Sequence, residues 1–108
     1  MLWFRWMRPK KAAATRADGL GGRAFRPAAS VTTATIDGQT SVLDLSRDRY
    51  YGLDDVGTAV WDMVRQERTF EEIVDGLARQ YDVATSDLER DVGAFLVDLR
   101  SRRLVEDA

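Results

Sequence analysis

The sequence has no cysteine and no histidine, and only two of its 108 residues are proline. Without cysteine there is no disulfide and no thiol nucleophile. Without either residue there is no imidazole base and no nitrogen and sulfur ligand set of the kind that holds zinc. Carboxylates and hydroxyls are present but in no recognisable catalytic arrangement, so the sequence predicts a protein that is not an enzyme and uses no cofactor or metal. Long apolar runs are missing too. The opening Met1-Leu2-Trp3-Phe4 is interrupted by Arg5, too early for a spanning helix or a signal-peptide core, and the charges follow the apolar residues instead of preceding them. This predicts a cytoplasmic chain with no stable membrane insertion.

What is present fits one foldable domain, with 44% hydrophobic and 31% charged residues. The net charge of −2 hides an asymmetry. Residues 1–29 hold seven basic residues against Asp18 alone, a net of +6, whereas 30–108 hold nine arginines, no lysine and 17 acids, a net of −8. Gly19, Gly21, Gly22 and Pro27 break any continuous element in the first part, so 1–29 is expected to be a basic, mostly disordered tail and 30–108 the domain. The aromatic opening Trp3-Phe4-Arg5-Trp6 suits either a weak interfacial or partner-binding anchor or a tail with no folded role.

From Ser30 the pattern changes. Val31 to Ile36 is rich in β-branched residues and runs into Asp37-Gly38, a hairpin dipeptide. A second strand is expected from about Thr40 to Leu45, with Leu43 and Leu45 on the buried face and Asp44 pointing away; Arg49 to Leu53 forms a third. The rest reads as three helices. Val56, Val60, Met63 and Val64 recur at helical spacing over about 55–66, with Trp61 as a core anchor. Thr69-x-x-Glu72 is a capping box that opens a second helix, with Phe70, Ile73, Val74 and Leu77 on one face. Ser86-x-x-Glu89 predicts a similar start for a third, which carries Leu88, Val92, Phe95, Leu96 and Leu99 and ends near Arg102. Arg100, Arg102 and Arg103 there complement the helix dipole, and Leu104-Val105 is expected to pack back onto the core. The fold class is therefore α+β, winged-helix-like, a three-stranded antiparallel sheet followed by three helices.

The run Arg49-Tyr50-Tyr51-Gly52-Leu53-Asp54-Asp55-Val56-Gly57-Thr58-Ala59-Val60-Trp61 resembles the Y-x-L-[ND]-x-x-[GA]-x-x-[IVL]-W signature of PqqD-like proteins. Thr69-Phe70-Glu71-Glu72-Ile73-Val74 is similar to that family's T-x-E-E-I-V, and Tyr81-Asp82-Val83 to its Y-x-V. Asp91-Val92, Phe95-Leu96, Leu99 and Leu104-Val105 are similar to its closing segment, so the resemblance spans about 30–107. It implies a module that recognises the leader segment of a ribosomally made precursor peptide. The stand-alone members of lasso peptide pathways are similar in size to this chain. There the implied partners are the precursor leader, a leader peptidase that is a transglutaminase-like cysteine protease, and an ATP-dependent cyclase. Other members serve quinone-cofactor or radical-enzyme pathways.

The physics of such binding can be argued from the residues. If the three strands run in order, the third is an edge whose unpaired N–H and C=O groups template an added strand. The edge backbone of Arg49, Tyr50, Tyr51, Gly52 and Leu53 is then the contact, with Tyr50 and Tyr51 facing opposite ways and the Tyr51 and Leu53 side chains in the core. In the family the groove is completed by the third helix. Asp91, Ala94, Asp98 and Arg102 share one of its faces, where Ala94 leaves space, Phe95 floors the pocket, and Asp91 and Asp98 on the surface offer acceptors to a basic leader residue. A DNA-binding winged helix is the rival reading. Its third helix should be basic, but 87–103 holds four acids against four arginines, with three of the acids near its start, so no nucleic acid partner is expected.

Overall fold

A computed structural model describes residues 20–36 and 39–108 of the chain. The Asp37-Gly38 turn and the aromatic opening lie outside the described residues. The element order is β1 (Phe25–Pro27), β2 (Val31–Ile36), β3 (Gln39–Asp44), β4 (Arg49–Gly52), α1 (Asp55–Arg65), α2 (Phe70–Gln80), α3 (Thr85–Ser101) and β5 (Val105–Asp107). Strands β2, β3 and β4 form an antiparallel sheet in that order, and β1 pairs with β5 in a second sheet. The three-stranded meander followed by three helices is the α+β, winged-helix-like architecture that the sequence predicts.

The helix starts follow from local chemistry. Asp54 caps α1, its carboxylate accepting from the Gly57 N–H at 2.7 Å. At α2 the capping box is complete: Glu72 N–H donates to Thr69 Oγ1 at 3.2 Å, and Thr69 N–H donates to Glu72 Oε1 at 2.9 Å. The bond from the Thr69 backbone, reinforced by the Thr69 side chain, holds the Glu72 carboxyl below its ordinary value. The third capping box does not form. Helix α3 begins at Thr85 behind Ala84, which supplies no side-chain cap, so Ser86 already lies inside the first turn. The early start continues the helix through Leu88, which is buried, and Asp87 in the first turn complements the dipole.

The core is one cluster drawn from both sheets and all three helices. Trp61, Phe25, Phe95, Leu53, Ile73 and Leu77 are among its largest fully buried side chains. Trp61 satisfies its indole N–H on Thr33 Oγ1 at 2.9 Å, which ties α1 to β2. Thr33, Val42 and Tyr51 lie side by side across β2, β3 and β4, so this row faces α1.

That row corrects the expected faces of β3. Val42 and Asp44 are 0% and 1% exposed, whereas Leu45 is 67% exposed; the leucines lie on the outer side and the aspartate is inside. A strand shows alternate residues to one face, so placing Val42 against Trp61's neighbour Thr33 carries Asp44 inward as well. Its burial is compensated by donors. Asp44 Oδ1 accepts from the Ser46 hydroxyl at 2.9 Å and from the Ser46 and Arg47 N–H groups at 3.2 and 3.3 Å. Arg47 Nη1 stands 3.5 Å from Oδ2. Burial alone pushes the Asp44 carboxyl up, but the Ser46 hydroxyl, the Arg47 N–H and the Arg47 charge together bring it below its ordinary value.

The expected boundary at Ser30 is also corrected, because the folded unit already includes Leu20. Leu20 and Phe25 are 6% and 1% exposed, and Phe25, Arg26 and Pro27 stand opposite Asp107, Glu106 and Val105. Gly22 N–H donates to both Glu71 oxygens at 2.8 and 3.0 Å, and Phe70 N–H donates to the Arg23 carbonyl at 2.9 Å. Arg23 pairs with Asp107 at 2.6 Å and Arg26 with Glu106 at 3.0 Å. The seemingly unstructured segment thus straps the start of α2 to the end of the chain. Among the described residues no helix is long and apolar enough to cross a membrane.

Candidate functional site

The open edge of the three-stranded sheet is β4, and its register says which groups are on offer. Leu53 N–H donates to the Thr40 carbonyl at 3.0 Å, and the same register places Tyr51 opposite Val42 and Arg49 opposite Asp44. Bonded pairs alternate along an antiparallel ladder, so Arg49, Tyr51 and Leu53 turn their peptide groups inward to β3. Tyr50 and Gly52 turn theirs outward. Each therefore presents one N–H and one C=O to an incoming strand, up to four ladder bonds over two residues.

The side chains alternate in the same way. Tyr51 is 3% exposed on the core side, and Tyr50 is 41% exposed on the outer side. Gly52 and Leu53 are buried. The second wall is the face of α3 that begins at Asp91. Arg102 joins the two walls, with its guanidinium carbon 5.6 Å from the centre of the Tyr51 ring and its Nε 3.1 Å from Asp98 Oδ1. Arg47, Arg49 and Tyr51 on one side and Ser101, Arg102 and Arg103 on the other line an open cleft of about 570 Å³.

The structure thus brings Arg49, Tyr51 and Arg102 together at one cleft, with Asp98 behind Arg102. Ala94 is half-buried further along α3, and Phe95 is fully buried, its ring close to Gly57 at the start of α1. Asp91 departs from expectation. It is only 4% exposed and lies with its Oδ1 3.6 Å from Arg90 Nε, so it is not a surface carboxylate. Asp98 is engaged by Arg102. The charged groups that face the cleft are therefore arginines, and the expectation of acceptors for a basic residue is reversed in sign at this end.

Arg47, Ser101 and Arg103 belong to the cleft but escape the sequence reading. Arg47 lies in a turn with no periodicity. Arg103 follows the helix as the residue after its C-cap, in the left-handed region at φ 58°. Its N–H donates to the Arg100 carbonyl and that of Leu104 to the Leu99 carbonyl, both at 3.0 Å, which is the Schellman closure. Glycine is the usual residue there. An arginine that departs from that preference is the one signal in the sequence that could have marked the position.

A small winged-helix-like domain with an open strand edge walled by a helix has the geometry of a peptide-binding class of module. Residues 39–105 match the family described as coenzyme PQQ synthesis protein D, PqqD. The chain belongs to this family. Among solved structures it is similar to one described as TbiB1 in complex with the TbiA(beta) leader peptide. The two share 34% identity and a TM-score of 0.71 over 75% of this chain and 94% of that one. A second, lasso peptide synthetase B1 complexed with the leader peptide, shares the fold at 22% identity and a TM-score of 0.71, over 76% of this chain and 96% of that one. No curated protein matches the chain.

Proposed function

We propose that this domain binds the leader segment of a ribosomally synthesised precursor peptide and delivers it to modifying enzymes of a lasso-type pathway, without catalysing a reaction itself. The observation that carries this reading is the outward pair of peptide groups at Tyr50 and Gly52, on the edge of a fold that in a 34% identical relative is seen with a leader peptide. The leader adds as a strand along Arg49 to Leu53. Main-chain bonds set its direction and register, and α3 through Ala94, Asp98 and Arg102 supplies the side-chain selection, with the fully buried Phe95 packed behind them. The partners served are a leader peptidase of the transglutaminase-like cysteine protease type and an ATP-dependent cyclase.

Ordering a flexible peptide offsets much of the contact energy, so affinity in the micromolar to sub-micromolar range is expected. The gain for the pathway is a raised effective concentration of precursor at its enzymes. The test is a fluorescence titration against a synthetic leader from the precursor-like reading frame beside the gene, with a scrambled peptide and a DNA duplex as controls. Saturable binding to the leader alone supports the reading. Binding to the duplex alone, lost as salt rises, contradicts it.

A further inference from the structure

The cleft between β4 and α3 holds four guanidinium groups, from Arg47, Arg49, Arg102 and Arg103, in a domain that is otherwise strongly acidic. Two of them are already matched, Arg47 by Asp44 and Arg102 by Asp98. Among the described residues Arg49 and Arg103 make no ion pair. Like charges gathered from two elements repel one another, and Arg103 adds the cost of a left-handed backbone where glycine is easier. Dipole complementation accounts for Arg103 at the helix end but not for Arg49, which comes from the sheet. Exposure of unpaired cations on a surface is ordinary; convergence of two elements' arginines around one cleft is not.

We infer that this cleft is a subsite for one acidic side chain of the bound leader, read by Arg49 and Arg103, with Tyr51 and Arg102 as its wall. The inference rests on the proposed strand addition and specifies one feature of its ligand. Arg49 and Tyr51 share one face of β4, so alternate residues of an added strand project toward the same side. A glutamate or aspartate on that side, level with Arg49, enters the cleft while other residues of the added strand pair their peptide groups with Tyr50 and Gly52. The net charge of −8 over 30–108 argues against a polyanion as the occupant, because a phosphate backbone would have to lie along the whole acidic surface, whereas one carboxylate meets only the cleft.

The experiment uses the full chain and a panel of synthetic leaders in which each Asp or Glu is replaced in turn by its amide. One replacement is expected to weaken binding about tenfold, as charge-assisted hydrogen bonds to guanidinium groups do, and the others by less than about twofold. In Arg49→Gln, and separately in Arg103→Gly, that same replacement should cost less than about twofold. Arg103→Gly also relieves the left-handed backbone, so its melting temperature should rise while its affinity for the parent leader falls. This separates a binding role from damage to the fold. A leader that binds tightly with every amide replacement tolerated, or that contains no acidic residue, overturns the subsite and leaves strand addition standing. Competition by inorganic phosphate or a DNA duplex, abolished in Arg49→Gln with the leader's acids still irrelevant, overturns it in favour of a phosphate site. Absence of all leader binding removes both readings.

Discussion

Replacing Tyr50 by proline should disable the edge of β4 while leaving the sheet intact. Tyr50 turns its N–H outward, so proline there removes no bond to β3; Arg49, Tyr51 and Leu53 still hold the strand. The variant loses one donor to an incoming strand, worth about 0.5–1.5 kcal/mol, and its ring crowds the partner carbonyl, which is left unsatisfied at a further cost of about 1 kcal/mol or more. The sum of about 1.5–2.5 kcal/mol or more corresponds to a loss of roughly ten- to seventyfold or more in affinity. Tyr50→Ala separates the backbone from the side chain: it keeps the donor, and it should keep most of the binding. The assay is a fluorescence titration of the leader, with an amide fingerprint spectrum to establish that each variant is folded. A folded Tyr50→Pro that binds within about twofold of the parent refutes strand addition at β4. Should the variant not fold, N-methylation of the leader's own amides one at a time tests the same ladder from the other side.

Three further outcomes follow from the fold. Thr69→Ala removes the capping box of α2 and should cost about 1 kcal/mol in denaturant unfolding, with Thr69→Ser restoring most of it. Phe25→Ala should cost about 3–5 kcal/mol, because the ring is buried within the core; a loss below about 1 kcal/mol would mean that the β1 segment is a dispensable strap. Asp44 has its folded pKa lowered, so its charged form stabilises the fold above the unfolded value, 3.8, and that contribution disappears as pH falls through the folded value. Thermal melts of the parent and of Asp44→Asn should therefore differ at pH 6 and converge toward pH 2. The same substitution loosens the turn that carries Arg47 and leads into Arg49, so leader affinity should fall with it.

The elements that could be read from sequence are those whose signal is local. The Thr69 and Glu72 pair marks the start of α2 without reference to anything distant, and the alternation of Tyr50 and Tyr51 follows from strand geometry alone. The readings that failed depended on partners far along the chain. Leu43 and Leu45 look like the buried face of β3 until Thr33, Val42 and Tyr51 are aligned under α1, and then Asp44 is the residue that goes inside. Phe25 to Pro27 is only three residues long, and it becomes a strand because Val105 to Asp107 arrives beside it. Asp91 has surface spacing on paper, yet it is covered where α3 meets its neighbours. Arg103 was legible as a charge but not as a wall of the cleft, since its place depends on how the helix closes.

Amide exchange of the isotope-labelled protein, measured by NMR with and without saturating leader, addresses strand addition most directly. In the free protein the N–H groups of Tyr51 and Leu53 should already be protected, that of the exposed Tyr50 should exchange freely, and that of Gly52, buried but turned away from β3, should exchange faster than those of Tyr51 and Leu53. Leader binding should slow Tyr50 and Gly52 at least about tenfold and change Tyr51 and Leu53 little. If the leader saturates the protein while Tyr50 and Gly52 keep their free rates, the peptide binds elsewhere and the account is wrong.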